Sequence, residues 1–179
     1  MKRTVLGILA FVTLAFAPPA AGEDIDGWQE AKWGMTPNEV QKALSYPTSV
    51  ADLAKVCGEK CDEGGALELD DYQLDNQHFV VRFWFTKRDM RLQAVSMYAK
   101  QLDDINRNQA FTRIKSFLQT LYGTPGSIVL KRGDFVISWT LPSTAVTLYS
   151  NATNNVTIVY EERSGKETGK SGSIEFCVG

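Results

Sequence analysis

The chain has 179 residues, with 19 Lys and Arg against 21 Asp and Glu and a formal net charge of −2 at neutral pH. A mildly acidic chain with scattered charge offers no basic field to gather nucleic acid or an anionic membrane surface. A length of this order makes one domain that can bury a sizeable core without a metal or disulfide staple.

The first twenty-two residues read as an address. Lys2 and Arg3 precede an apolar run from Val5 to Ala17, and Pro18-Pro19-Ala20-Ala21-Gly22 closes it. A basic head, a short apolar middle and a small-residue end predict a secretory signal peptide, cut before Glu23. The run is too short to span a bilayer comfortably, and polar sequence follows at once. An uncleaved anchor is the competing reading. No second apolar run approaches membrane-spanning length, so no membrane span is expected after removal of the signal. Export to a periplasmic or secreted location makes a disulfide the default for the cysteines, Cys57, Cys61 and Cys177. Proximity favours Cys57 with Cys61 and leaves Cys177 over; a bridge from Cys177 to either of them is the alternative.

Thr36-Pro37-Asn38-Glu39 is a capping box with proline at the first helical position, and Met35 is placed to staple onto Val40. Pro47 stops the segment, so a short helix is expected over 37–45. Three strands follow. The run 66–74 alternates at Leu67 and Leu69 and loses register at Asp70-Asp71, which predicts a bulge. The run 77–86 puts Phe79, Val81, Phe83 and Phe85 on one face, and 91–99 is a weaker third strand. Phe111, Ile114, Phe117, Leu118, Leu121 and Tyr122 recur at helical spacing, with Gly123 at the C-cap position and Pro125 beyond it. Four more strands are expected at 127–131, 134–141, 144–149 and 155–161, separated by the turns Arg132-Gly133, Pro142-Ser143 and Asn151–Asn154. Asn151 and Asn155 also open glycosylation sequons, read here as turn residues.

The expected fold class is therefore α+β: an antiparallel sheet of about seven strands in two meanders, with two helices on one side, in the order helix-βββ-helix-ββββ. Residues 23–162 form one domain, divisible into tandem halves 23–101 and 102–162, and 163–179 form a flexible tail of Gly, Ser, Lys and Glu.

Trp33-Gly34-Met35-Thr36-Pro37-Asn38-Glu39-Val40, with Leu121-Tyr122-Gly123-Thr124-Pro125 as a second landmark, resembles a pattern of small exported bacterial domains. In element order the chain is similar to β-lactamase-inhibitor proteins and to the small lipoprotein of the outer-membrane barrel-assembly machinery, although it lacks that lipoprotein's lipidated cysteine. The resemblance implies a binding or assembly role and transfers no site residue.

Candidate chemistry is sparse. His78, the single histidine, has no Gly-x-Ser-x-Gly nucleophile motif to serve, so no catalytic residue is assigned. Cys57 and Cys61 with His78 could hold copper, since thiolate and imidazole suit it, but the structural disulfide takes precedence and neither a metal nor a cofactor is expected. Glu68, Asp70, Asp71 and Asp75 read as a solvated, charged strand edge. Trp139 lies on an apolar face and reads as core. Strand alternation puts Arg82 and Trp84 opposite the phenylalanines, on the face the helices leave open, and makes them the candidate binding residues for a protein partner from the envelope or secreted space. The competing reading is that a loop or the other half covers that face. The functional expectation is an exported binding or assembly module without enzymatic activity; a small hydrolase or a copper-handling protein is the alternative.

Overall fold

The computed structural model describes residues 24–53, 64–100, 104–131, 134–150 and 156–163. The signal segment, Cys57, Cys61 and Cys177, the turns at 132–133 and 151–155, and the tail beyond Arg163 lie outside the described residues.

A two-stranded ribbon opens the described chain, β1 (Gly27–Trp28) against β2 (Ala31–Lys32). Helix α1 (Pro37–Ala43) follows, then β3 (Ser49–Val50), β4 (Gly65–Leu74), β5 (Gln77–Phe85) and β6 (Leu92–Ala99). Helix α2 (Asp104–Tyr122) leads into β7 (Ser127–Lys131), β8 (Asp134–Thr140), β9 (Thr144–Ser150) and β10 (Val156–Glu162). The large sheet has eight strands in the order β3-β4-β5-β6-β10-β9-β8-β7. All its pairings are antiparallel. Two four-stranded meanders thus meet at β6 and β10, and among the described residues each half contributes one of the helices α1 and α2 and one meander. The fold is the α+β class expected. The eighth strand is β3, two residues long and too short to carry a sequence period, and the β1–β2 ribbon was likewise unread.

The local chemistry explains the elements. At α1 the Thr36 backbone amide donates to Glu39 Oε2 at 2.8 Å, and the Glu39 amide donates to Thr36 Oγ1 at 3.4 Å. The helix ends at Ala43, two residues earlier than expected, with the extended Leu44 as its C-cap. The bulge at Asp70-Asp71 is present as a register shift between Leu69 and Tyr72. Asp75 and Asn76 both have positive φ, 47° and 60°, the backbone of the tight two-residue turn that twists with its strands. Gly123 takes φ +78° at the end of α2, where its amide donates to the Gln119 carbonyl at 2.9 Å. A side chain there would have to enter the left-handed region, which glycine occupies at no steric cost.

Both helices cover one face of the sheet. Val40 and Leu44 of the α1 segment, and Ala110, Ile114 and Leu118 of α2, join Phe79, Val81, Phe83, Phe85, Leu92, Val95, Ile137, Trp139, Leu148 and Ile158 in a single buried cluster. Each such large apolar side chain contributes roughly 1.5–3 kcal/mol relative to exposure. Trp139 is core, as expected, and its Nε1 donates to the Gly123 carbonyl at 2.9 Å, which ties the last turn of α2 to β8.

Candidate functional site

The second face of the sheet carries the residues that alternation assigns to it. Register pairs Glu68 with Arg82 and Arg82 with Ser96, and pairs Ala66 with Trp84 and Trp84 with Ala94. Alternation alone leaves Trp84 open to solvent; the structure buries it to 3% exposure. It forms a second small cluster with Ala66 and Ala94, packed by Ala51 and Leu53 from the segment after β3. Its Nε1 donates to the buried Ser96 hydroxyl at 2.7 Å. The indole is therefore a building block of the fold on that face, because a local segment folds over it. Arg82 is half-buried, donates from Nε to Glu68 Oε2 at 2.8 Å, and stands 4.9 Å from the centre of the Tyr98 ring. The same face continues across β10 and β9 with Thr157, Val159, Thr147 and Tyr149, and with Glu161 between Ala94 and Ala145. Burial raises the Glu161 carboxyl above its ordinary range.

The other sequence candidates are placed as follows. His78 Nδ1 lies 2.8 Å from Asp71 Oδ1, with both side chains more than half exposed. Lys100 Nζ reaches Asp70 Oδ1 at 3.0 Å and Asp71 Oδ1 at 4.0 Å. Asp70 and Asp71 are thus paired surface charges at a bulge, and Asp75 is a turn residue. Cys57 and Cys61, the disulfide and copper candidates, lie outside the described residues. No group of His, Cys, Asp and Glu among the described residues is arranged to hold a metal.

A cleft of about 270 Å³ opens between the N-terminal ribbon and the end of α2. Gly27 makes the ribbon possible, since a Cβ on it would stand 2.0 Å from the Ala31 carbonyl oxygen. The segment is tied down at several points. Asp24 accepts from the Ser143 amide at 2.9 Å and from its hydroxyl at 2.8 Å, and these bonds hold its carboxyl below the usual range. Trp33 Nε1 donates to Thr144 Oγ1 at 2.9 Å, and that hydroxyl donates to the Ile25 carbonyl. Gln29 Nε2 donates to the Tyr72 hydroxyl at 2.8 Å. Trp28 is buried and meets Tyr72 and Phe83 edge to face, with ring centres 5.0 and 5.5 Å apart. Tyr122 and Tyr160 both line the cleft, and burial pushes the phenol of each above its ordinary value, Tyr160 the further of the two. Lys32 and Asp26 form an ion pair at the rim.

The sheet has two unlike edges. β3 is two residues long. β7 is five residues long and apolar on both faces: Ile128 is 61% exposed, Val129 48% and Leu130 66%, with Phe135 of β8 beside them at 44%. Among the described residues β7 pairs with β8 alone, so none of them offers a strand to its outer backbone groups. Sequence reasoning passed over this edge. The available signal was a contradiction, since an apolar run on both faces belongs to a central strand, while the topology puts it outermost.

No protein-family model matches the chain, and no curated protein does. A solved structure similar to it is that of a DUF4309 family protein, YjgB, from Bacillus subtilis subsp. subtilis strain 168, at 11% identity and a TM-score of 0.42 over 72% of this chain and 78% of that one. No helix among the described residues is long and apolar enough to cross a membrane.

Proposed function

We propose that the chain is an exported, non-catalytic binding module that takes up an extended segment of an envelope or secreted protein along β7. The observation that carries this reading is the edge itself. An outermost strand with free backbone groups is a template for another strand, and soluble proteins blunt such edges by shortening, charge or proline. The β3 edge is shortened. β7 has none of these devices across Ile128, Val129 and Leu130, and its exposed side chains continue into Phe135. An added strand would gain main-chain hydrogen bonds, and Ile128 and Leu130 on one face with Val129 on the other would select alternating apolar side chains. The element order shared with β-lactamase-inhibitor proteins and with the barrel-assembly lipoprotein supports a binding role. The basic head and small-residue end of residues 1–22 support export.

The test is site-specific photo-cross-linking in an envelope extract, with a benzoylphenylalanine placed at Leu130 and, as control, at Arg113 on α2. The reading expects an adduct from position 130 alone, through an extended apolar segment of the partner, and its loss when Ile128→Lys is added. These are surface changes, so stability should move by no more than about 0.5 kcal/mol. Equal adducts from both positions, or an adduct indifferent to Ile128→Lys, would overturn it.

A further inference from the structure

We propose that the cleft beneath the N-terminal ribbon is a binding site for a small neutral molecule, one ring system bearing a carbonyl or ether oxygen. The inference stands apart from the β7 reading, since it rests on different residues and a different kind of ligand.

Size sets the first limit. The cleft holds about 270 Å³, just under the roughly 300–1,000 Å³ of sites for drug-sized ligands. It suits one ring system, not a polymer or a helix. Its wall is built for a ring: Trp28, Leu74, Met97, Phe117 and Leu121 supply aromatic and aliphatic surface.

The polar groups then specify the chemistry. Tyr72, Tyr122 and Tyr160 reach the cleft from β4, the end of α2 and β10. The Gln29 amide donates to the Tyr72 oxygen, which uses a lone pair and leaves the Tyr72 proton unspent. A bond between the Tyr122 and Tyr160 hydroxyls, which line the same cleft, can use only one of the two protons they bring, because a hydroxyl carries one proton and two lone pairs. Two phenolic protons are therefore left to give, and an acceptor oxygen is their complement. Burial keeps these phenols protonated. At the rim Lys32 is paired with Asp26, and Asp24, still ionised, turns its oxygens to the Ser143 amide and hydroxyl, which leaves an anion no free counter-charge and a cation only a carboxylate already accepting two bonds. A cation would also face the positive ends of the two O–H groups.

Four probes of nearly one shape decide the matter: acetophenone, ethylbenzene, benzoate and benzylamine. Each is titrated into the purified chain while the Trp28 indole N–H is followed by NMR. Acetophenone should shift that resonance saturably, and ethylbenzene, which lacks the oxygen, should bind several-fold more weakly. Benzoate and benzylamine should leave it unmoved. Tyr72→Phe and Tyr122→Phe each remove a hydroxyl and keep the ring. Each should weaken acetophenone about fivefold, as loss of one hydrogen bond does, and leave ethylbenzene unchanged. A melting curve for each variant verifies the fold. Equal binding of acetophenone and ethylbenzene would reduce the cleft to a greasy gap. Tighter binding of a charged probe, or no shift at Trp28 with any of the four, would overturn the proposal outright.

Discussion

Truncating Trp84 to alanine tests whether the second face of the sheet is closed at that point. The indole is 3% exposed and sits among Ala66, Ala94, Ala51 and Leu53. Three of the four are alanines with no side chain to swing in and fill the space, and a large-to-small change of this kind costs about 3–5 kcal/mol. The Ser96 hydroxyl, fully buried, also loses the Nε1 donor it accepts at 2.7 Å. An orphaned buried hydroxyl costs roughly 1–3 kcal/mol, although a water entering the new cavity would recover part of this, so a total of about 4 kcal/mol is expected. For a domain of this size each kcal/mol moves the midpoint by roughly 2–4 °C, and thermal melting should show a fall of about 10 °C. Trp84→Phe keeps most of the apolar volume and loses the hydrogen bond, and should fall by about a third as much. A Trp84→Ala midpoint within about 2 °C of the parent would refute the reasoning and return Trp84 to the open face as an anchor.

Three further outcomes follow from named contacts. Glu161 has a folded-state carboxyl pKa raised by burial, so its ionised form costs stability that is absent below the unfolded value and grows as pH rises through the folded one. Glu161→Gln should raise the melting midpoint at pH 7 and change nothing at pH 3; equal gains at both would assign the effect to packing. Thr36→Ala removes the hydroxyl that accepts from the Glu39 amide and should cost about 1 kcal/mol in a denaturant titration, whereas Thr36→Ser should cost little. Gly123→Ala forces a side chain into φ +78° with nothing within 4 Å to clash. Its loss of about 1–2 kcal/mol is therefore purely conformational, and an unchanged midpoint would show that the backbone relaxes.

Much of the fold was legible because its elements obey local rules. The capping box at Thr36, the strict alternation from Phe79 to Phe85 and the Gly123 stop each state a boundary in a few residues, and the structure keeps them to within a residue or two. The bulge at Asp70-Asp71 was readable because a strand of period two cannot absorb two consecutive exposed carboxylates without slipping. Two-residue strands were not readable, since β1, β2 and β3 are shorter than any period. The pairing of β6 with β10 joins residues some sixty apart and leaves no trace in either strand alone. The candidate site fared worse for the same reason. Alternation put Trp84 on the correct face but could not say that Ala51 and Leu53 would fold over it. The cleft gathers Trp28, Tyr72, Tyr122 and Tyr160 from four separate segments, and no spacing links them.

Hydrogen exchange at the β7 amides tests the central claim most directly. With a cross-linked or co-purified partner bound, the outward-facing amides of the Ile128–Leu130 stretch should exchange at least about tenfold more slowly than in the isolated chain, as new cross-strand hydrogen bonds require. The protection should vanish in Leu130→Lys, and the amides of β5 should be unaffected by the partner. Protection that rises with protein concentration alone would mean that the edge pairs with a second copy of the chain. Partner binding that leaves β7 exchange unchanged would contradict the account.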